Sequence, residues 1–244
     1  MLEGDDYRYL IRVRRLAVGE YFPALLPNGK ETLVQIISID KNSIKGRCTE
    51  TSFPAPSSKT QYQSPISIIL FQAMPKSDKM DLITRQAAEA GINEIVPFVS
   101  EFSVAKANIS EHKFSRWEKI IKEARQQSGS SVNTVIHRPL NITQLFEYWN
   151  KLKNKGAIGL LFHHLPLEKA SLHSYLNNDP SIVALAVGPE GGFSDTEVSC
   201  FLENGFKPLT IGDTILRTET AALSAIAAIR ILLWERDSWE LKKI

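Results

Sequence analysis

Short apolar runs alternate with helical patterns through most of the chain, from Ile66 onward. The runs occupy residues 66–71, 95–99, 158–162, 182–187 and 209–211. Helical patterns lie between and after them, at residues 78–90, 111–127, 142–153, 195–204 and 218–236. Buried strands that alternate with helices are typical of a parallel sheet covered by helices on its faces. The sequence therefore predicts a parallel α/β domain over residues 66–244.

The chain before residue 66 has a different pattern, with short β-rich pieces and no helical period. The pieces lie at residues 9–13, 21–25, 32–39 and 43–47, and turn residues at 27–29 and 40–42 separate them. Short strands at this spacing favour a small β-barrel. Residues 51–65 are rich in proline and serine and are typical of a connector. The sequence therefore predicts a barrel domain over residues 1–65.

Composition limits the functional classes that the chain can belong to. Its 244 residues carry 29 Lys and Arg against 27 Asp and Glu, so any nucleic-acid surface must come from local clustering of charge. The two distant cysteines, Cys48 and Cys200, exclude a cysteine zinc cluster and a disulfide-rich secreted scaffold, and they suit a reducing compartment. Because the sequence shows no signal peptide and no membrane-spanning stretch, we expect a cytoplasmic protein. The one close pair of histidines, His163 and His164, points to different sides of its element, so we expect no metal site.

A glycine-rich segment follows the apolar run at 182–187. It consists of Gly188, Pro189, Glu190, Gly191, Gly192, Phe193 and Ser194. In open α/β sheets ligands bind beyond the carboxyl ends of the strands, and glycines let a ligand approach the backbone closely. The segment contains no lysine and matches neither common phosphate-binding motif, which favours an uncharged adenosine-type ligand. A tight turn that merely requires glycine is the alternative.

A second segment, residues 212–221, leads into the most apolar helical pattern of the chain. It places Arg217 and Glu219 at the mouth of a hydrophobic element, where an unpaired charge is costly. A helix start explains part of this pattern, because Thr218 or Thr220 can cap the helix and Glu219 favours its N-terminus. A helix start does not explain an arginine beside the positive end of the helix dipole. Arg217 is therefore a candidate functional residue.

Basic residues cluster at two places. Residues 7–16 contain four arginines and no acidic residue, and residues 101–138 contain seven basic residues against four acidic ones. Such patches bind phosphodiester backbones, although a solvated helix face is the alternative for the second cluster. The predicted RNA contacts are Arg12, Arg14, Arg15, Arg116 and Arg125.

Taken together, these segments resemble a known family. Residues 188–194 with Glu197, followed by the Leu-Arg-Thr-Glu-Thr-Ala sequence of residues 216–221, resemble the paired signatures of the RsmE family. Its members are 16S rRNA uridine-N3 methyltransferases of the SPOUT (trefoil-knot) superfamily. Similar blocks lie at residues 13–20, 28–29, 76–81, 89–92, 116–117, 123–124 and 127–129.

The resemblance implies an N-terminal PUA-like RNA-binding β-barrel and a C-terminal SPOUT α/β knot domain that binds S-adenosylmethionine. It also implies a homodimer with shared active sites, acting on 16S rRNA of the small ribosomal subunit. By position, the cofactor residues are Leu161, Phe162, Gly188, Pro189, Glu190, Gly191, Gly192, Ile211, Gly212, Leu216, Arg217, Thr218, Thr220 and Ala221. The chain departs from the family at Gln86, Phe102 and Ser130, where the family usually has Lys, Arg and Arg. These departures lie outside both signatures and bear on the choice of RNA.

The implied reaction requires help with a proton. N3 of uracil carries a proton and is weakly nucleophilic, so the site must help to remove it or stabilise the anion that develops on the ring. We assign the stabilisation of the anion to Arg217. Glu219 is a base or the partner that orients Arg217.

The helical pattern at 218–236 is apolar nearly all round, so it must be covered on every side. A twofold partner is the simplest cover for the side that the sheet leaves free, and another helix of the same chain is the alternative.

Other functions remain open on the sequence alone. A 2′-O-ribose RNA methyltransferase of the same superfamily is the nearest alternative. A non-catalytic RNA-binding protein on the same scaffold is disfavoured by the glycine-rich segment at 188–192. An α/β enzyme acting on a nucleotide-like metabolite is disfavoured by the arginines at 8–15, since a small substrate needs no remote basic domain.

Overall fold

The structure, a computed structural model, describes residues 1–25, 31–49, 66–104, 108–130, 132–164, 171–177 and 180–236. The chain divides into two compact units, Met1–Tyr62 and Gln63–Ile244. The predicted turn at 27–29 and the predicted connector at 51–65 lie outside the described residues. The predicted domain limits, 1–65 and 66–244, stay a prediction.

The N-terminal unit is built on a four-stranded antiparallel sheet. Its strands, in the spatial order β1-β4-β3-β2, are β1 (Leu2–Glu3), β2 (Tyr21–Leu25), β3 (Glu31–Ile39) and β4 (Ser43–Thr49). Val34 and Ile36 lie two residues apart on β3, so both point to the same face, where Phe22 and Ile44 complete the buried core. The predicted small β fold of this unit is confirmed as an antiparallel half-barrel.

The strand predicted at residues 9–13 is wrong. Helix α1 (Gly4–Arg8) continues there into a π-helical turn, Tyr9–Val13. The turn buries Leu10 in the core of the sheet and leaves Tyr9 exposed. The aromatic and β-branched residues of this segment favour a strand locally, but packing of Leu10 against the sheet decides the outcome.

The C-terminal unit contains a six-stranded sheet in which all strands are parallel. In the spatial order β10-β8-β9-β5-β6-β7, its strands are β5 (Ser67–Ala73), β6 (Glu94–Phe98), β7 (Val135–Ile136), β8 (Ala157–Phe162), β9 (Ile182–Val187) and β10 (Phe206–Leu209). The predicted parallel α/β fold is therefore confirmed. β10 begins before the predicted run at 209–211, and the two-residue β7 is too short to leave a periodic signal in the sequence.

Helices cover both faces of this sheet. In the described residues they are α2 (Lys79–Glu89), α3 (Glu111–Ser128), α4 (Ile142–Lys153), α5 (Leu172–Leu176), α6 (Asp195–Glu203) and α7 (Thr218–Arg236). The alternation along β9 separates two cores, because Val183 and Leu185 pack with α2, α3 and α7, whereas Ala184 and Ala186 pack with α4 and α6. Both faces are thus buried, which explains why the strands are continuous apolar runs.

Candidate active site

The carboxyl ends of four adjacent strands meet at one edge of the sheet. β10, β8, β9 and β5 are parallel neighbours, and Leu209, Phe162, Val187 and Gln72 lie side by side in register near their ends. The segments that follow these strands therefore leave the sheet together. They contain the predicted cofactor residues, with Leu161 and Phe162 at the end of β8.

The loop after β9 turns tightly and leaves part of its backbone open. Gly192 N–H donates to the Pro189 carbonyl at 3.0 Å. A Cβ on Gly188 would lie 3.1 Å from the carbonyl carbon of Gly192, so the turn itself requires glycine at 188. Gly192 has a φ of +72°, and a Cβ built on it meets no described atom within 4 Å. This open backbone fits a ligand that approaches closely, such as the adenosine part of S-adenosylmethionine.

Ser194 and Glu197 form the predicted capping box at the start of α6. Glu197 N–H donates to Ser194 Oγ at 3.2 Å, and Ser194 N–H donates to Glu197 Oε2 at 3.0 Å. The other carboxylate oxygen of the buried Glu197 accepts a hydrogen bond from Glu101 N–H at 2.9 Å. Glu197 therefore also ties the loop after β6 to the loop after β9.

Thr218 joins the two signature segments. Its Oγ1 donates to the Gly188 carbonyl at 2.6 Å and accepts a hydrogen bond from Gln72 Nε2 at 3.0 Å. Both side chains are buried. Gln72 is not among the residues predicted from the sequence, although a glutamine in the apolar run of β5 is a signal, because a buried amide needs partners.

Lys79 connects the glycine loop to the start of α7. Its Nζ lies 3.0 Å from Glu190 Oε1 and 3.3 Å from Glu219 Oε2, and Lys76 N–H donates to the same Glu190 carboxylate. The hydrogen bond to Glu190 raises the pKa of Lys79, against the opposing effect of burial. Burial acts to raise the pKa of Glu190, but the hydrogen bonds from Lys79 and from backbone N–H groups lower it below its usual value. Glu219, for which the sequence left open a base or the partner that orients Arg217, is thus paired with Lys79, a residue that was not among the predicted site residues.

The segment before α7 has an apolar side and an open side. Phe162, Ile211 and Leu216 are half-buried and pack against the core that includes α7. Arg217 is exposed, and the structure gives it no ion pair with another described residue. Thr220 is exposed as well, Ala221 is buried, and Gly212 has open space beside its Cα. The arrangement provides apolar walls for a ligand and an unengaged guanidinium beside them.

Comparison with known proteins agrees with this geometry. A family profile described as an RNA methyltransferase domain matches residues 62–230, and one described as an RNA methyltransferase PUA domain matches residues 2–47. The ribosomal RNA small subunit methyltransferase E of Synechocystis sp. is 32% identical over 95% of this chain and 73% of its own length. The protein of the same name from Aquifex aeolicus is 31% identical over 93% of this chain and 91% of its own. The chain belongs to the ribosomal RNA small subunit methyltransferase E family.

A solved structure of this family matches as well. The ribosomal RNA small subunit methyltransferase E from Neisseria gonorrhoeae, bound to S-adenosyl methionine, superposes with a TM-score of 0.78 at 26% identity. The match covers 95% of this chain and 90% of that one. The predicted family and the predicted fold, a PUA-type unit followed by a parallel α/β methyltransferase unit, are confirmed.

The basic residues predicted to bind RNA lie in two separate settings. In the N-terminal unit, Arg12 lines a surface pocket of about 480 Å³ together with Tyr7, Arg8 and Asn42. Arg14 and Arg15 are exposed, and Arg15 has a φ of +54°. The setting leaves these cations accessible, and their contacts with RNA stay a prediction.

Two arginines of α3 have partners within the C-terminal unit. Arg116 Nη2 lies 2.6 Å from Asp81 Oδ2, and the indole N–H of Trp117 donates to Asp81 Oδ1 at 2.9 Å. Arg125 Nη1 donates to Asn133 Oδ1 at 2.9 Å, and burial lowers the pKa of Arg125. These contacts hold α3 in place, and the RNA contacts of both arginines stay a prediction.

The departures from the family pattern lie at different places. Phe102 lies against Gly191 of the glycine loop, since a Cβ on Gly191 would be 3.1 Å from Phe102 Cβ. Ser130 Oγ lies beside Gly91, at the end of α2, and Gln86 is half-buried on that helix. Phe102 is therefore the departure that touches the candidate site.

Two further properties concern the described part of the chain. It contains no helix whose length and apolar content would suffice to cross a bilayer. It also contains no group of three or more His, Cys, Asp and Glu side chains placed to hold a metal ion. Cys48 and Cys200 are free thiols, exposed and half-buried respectively.

Proposed function

We propose that this chain transfers a methyl group from S-adenosylmethionine to N3 of a uridine in 16S rRNA of the small ribosomal subunit, in the cytoplasm. The hydrogen bond from Thr218 to the Gly188 carbonyl carries the proposal, because it brings residues 188–192 and 216–221 together at the strand ends. Membership of the family supports it, and so does the relative that binds S-adenosyl methionine.

The predicted cofactor residues are suited to the cofactor. The open backbone at Gly192 admits the adenosine, and the half-buried Phe162, Ile211 and Leu216 provide apolar contact. When bound, S-adenosylmethionine supplies an electrophilic methyl group on a positively charged sulfur. Lys79, through Glu190, holds the glycine loop in the position that this binding requires.

Arg217 stabilises the negative charge that develops on the uracil ring as N3 loses its proton. Its guanidinium is exposed and has no ion-pair partner among the described residues, so it is available to the substrate. A preorganised donor of this kind acts on the transition state more than on the ground state. Glu219 acts as a positioning residue rather than as the base, because its carboxylate is engaged by Lys79. Lys79 also holds Glu190 of the glycine loop.

The RNA contacts of this function are the five arginines predicted from the sequence. Arg12, Arg14 and Arg15 contact phosphates from the N-terminal unit, and Arg116 and Arg125 do so from α3. Arg12, Arg14, Arg15 and Arg116 are exposed, whereas Arg125 is half-buried. Accessible guanidinium groups suit this role because they bind phosphate oxygens in a bidentate manner.

The functional form is a homodimer. α7 buries one face in its own chain, with Ala222, Ala225 and Ile229, but exposes Leu223, Ala227 and Ile231 at intervals of four residues. Such an apolar stripe is what a second copy of the chain would cover. The stripe supports a dimer in which each active site uses residues of both chains.

Transfer of a labelled methyl group to small-subunit rRNA tests the function. Wild-type protein with labelled S-adenosylmethionine should label rRNA from cells that lack the gene. Arg217→Ala should lower kcat by about 100-fold, the effect of losing one charge-stabilising donor. Arg85→Ala, which removes an exposed arginine on α2, is the matched control and should retain full activity. No labelling by the wild-type protein would refute the proposal.

A further inference from the structure

Phe102 presents an aromatic ring to solvent beside the glycine loop. It lies in the turn after β6, at the same sheet edge as the loop after β9, and 46% of its surface is exposed. A Cβ on Gly191 would lie 3.1 Å from Phe102 Cβ and 3.5 Å from its Cγ. The stem of Phe102 therefore packs on the bare backbone of Gly191, and the rest of the side chain is left for another contact.

Hydrogen bonds within the protein hold the turn that carries Phe102. Ser103 N–H donates to the Ser100 carbonyl at 3.0 Å, and Ser100 N–H donates to Ser103 Oγ at 3.1 Å. Glu101 N–H donates to Glu197, the buried carboxylate that also caps the helix after the glycine loop. Phe102 is thus preorganised relative to that loop, which lowers the entropic cost of any contact that it makes.

Other phenylalanines near this edge serve the core. Phe98 and Phe193 are buried and stack on each other, with ring centroids 6.2 Å apart. Phe102, by contrast, has no ring partner among the described residues. Ligand sites are lined predominantly by apolar and aromatic side chains, so an exposed ring beside the glycine loop is available to a ligand.

The chemistry of the proposed reaction, on which this inference rests, restricts how a uracil can be held. N3 lies on the Watson–Crick edge, which is hydrogen-bonded in a duplex, so the reacting base must be unpaired. That edge must face the methyl group, which leaves the two flat faces of the base for recognition. Proteins hold unpaired bases by stacking them on aromatic side chains.

We propose that Phe102 is a stacking platform for an unpaired base of the substrate RNA, next to the site of methyl transfer. Stacking tolerates any base because every base has a π-face. Phe102 therefore selects unpaired over paired RNA and leaves the choice of sequence to other contacts. The substrate class of this site is a single-stranded segment whose base is turned toward the glycine loop.

Kinetics on small ribosomal subunits from cells that lack the protein test the platform. Phe102→Leu keeps an apolar stem on Gly191 but removes the ring, so the KM for the subunit should rise about tenfold. The kcat should change little, because stacking holds the ground state and the transition state alike. The KM for S-adenosylmethionine should stay unchanged in Phe102→Leu. The variant Phe102→Tyr, which keeps an aromatic ring, should have the wild-type KM for the subunit.

Val104→Ala is the matched control. Val104 is an apolar residue that directly follows the same turn and is 67% exposed, and its loss should leave both KM values unchanged. A KM for the subunit that stays at the wild-type value in Phe102→Leu would overturn the proposal. So would equal losses in the Leu and Tyr variants, because those would indicate a packing role.

Fluorescence gives a readout that does not depend on catalysis. In Phe102→Trp, single-stranded oligouridylate should quench tryptophan emission beyond the quenching seen in the wild-type protein, and a duplex should not. Absence of this additional quenching would overturn the platform. If quenching occurs but the wild-type protein methylates no rRNA, the proposed function fails and the platform stands.

Discussion

Two glycines of the loop after β9 have different physical roles. Gly188 is required by the turn, because a side chain there would meet the backbone of Gly192. Gly192 is not required in that way, since no described atom lies within 4 Å of an added Cβ. Its φ of +72° disfavours a side chain by about 1–2 kcal/mol, and the space beside it is what a cofactor needs.

Gly192→Arg should abolish binding of S-adenosylmethionine and leave the fold largely intact. The new side chain extends into the open space, so it blocks the ligand without a clash in the protein. Calorimetric titration measures the affinity. Gly129→Arg is the matched control, because Gly129 has a φ of +69° and equally open surroundings but caps α3. Equal affinity in Gly192→Arg and wild-type protein would place the cofactor elsewhere.

The partners of the site residues are less predictable than the residues themselves. The glycines of residues 188–192 stand out in the sequence because they directly follow an apolar run. Arg217 stands out because it lies beside the positive end of a helix dipole. Lys79 and Gln72 do not stand out as partners, because their contacts with Glu219 and Thr218 join segments more than a hundred residues apart. Such pairings follow from strand order, which the sequence pattern leaves open.

Elements of regular structure are predictable where the periodic signal is long. The bounds of α4 and α7 agree with the predicted ranges 142–153 and 218–236 at both ends. The sequence pattern does not predict the short α5 and β7, because elements of five and two residues carry no period. The strand predicted at residues 9–13 is instead a π-helical turn, because burial of Leu10 outweighs the β propensity of its neighbours.

One polar cluster joins three elements at the opposite edge of the sheet. Glu94, at the start of β6, lies 2.7 Å from His137 Nε2 after β7 and accepts a hydrogen bond from Tyr148 of α4. The hydrogen bond with His137 is the main cause that lowers the pKa of Glu94 below its ordinary value of 4.5. Burial, followed by the bond to Glu94, raises the pKa of Tyr148.

Glu94→Gln should lower the free energy of unfolding at pH 7 by about 1 kcal/mol, because a charged hydrogen-bond acceptor is lost. Since the pKa is lower in the folded state, the contribution of Glu94 is present above pH 4.5 and is lost as the pH falls through the folded value. Urea titrations from pH 7 to pH 3 should therefore show a shallower acid decline in the variant. Glu147→Gln, a change at an exposed residue of α4, is the control and should follow the wild-type curve. Equal declines of the free energy of unfolding with falling pH in all three proteins would contradict this role of Glu94.

At the scale of the whole molecule, the apolar stripe on α7 predicts assembly. Light scattering should give a mass near twice 27.4 kDa for the wild-type protein. Ile231→Asp, at a residue that is 55% exposed, should give a monomer of low activity because a charge would be buried in the interface. Leu202→Asp, at the 39% exposed Leu202 of α6, is the control and should remain a dimer. A fully active wild-type monomer would refute both the dimer and the shared site.

The methylated nucleoside itself tests the central claim most directly. Small-subunit rRNA from cells with and without the gene is digested to nucleosides and analysed by mass spectrometry, with the chromatographic position separating the isomers of methyluridine. Loss of the gene should remove 3-methyluridine, and purified protein with S-adenosylmethionine should restore it. Loss of 2′-O-methyluridine instead, or an unchanged set of methylated nucleosides, would contradict methyl transfer to N3 of uridine.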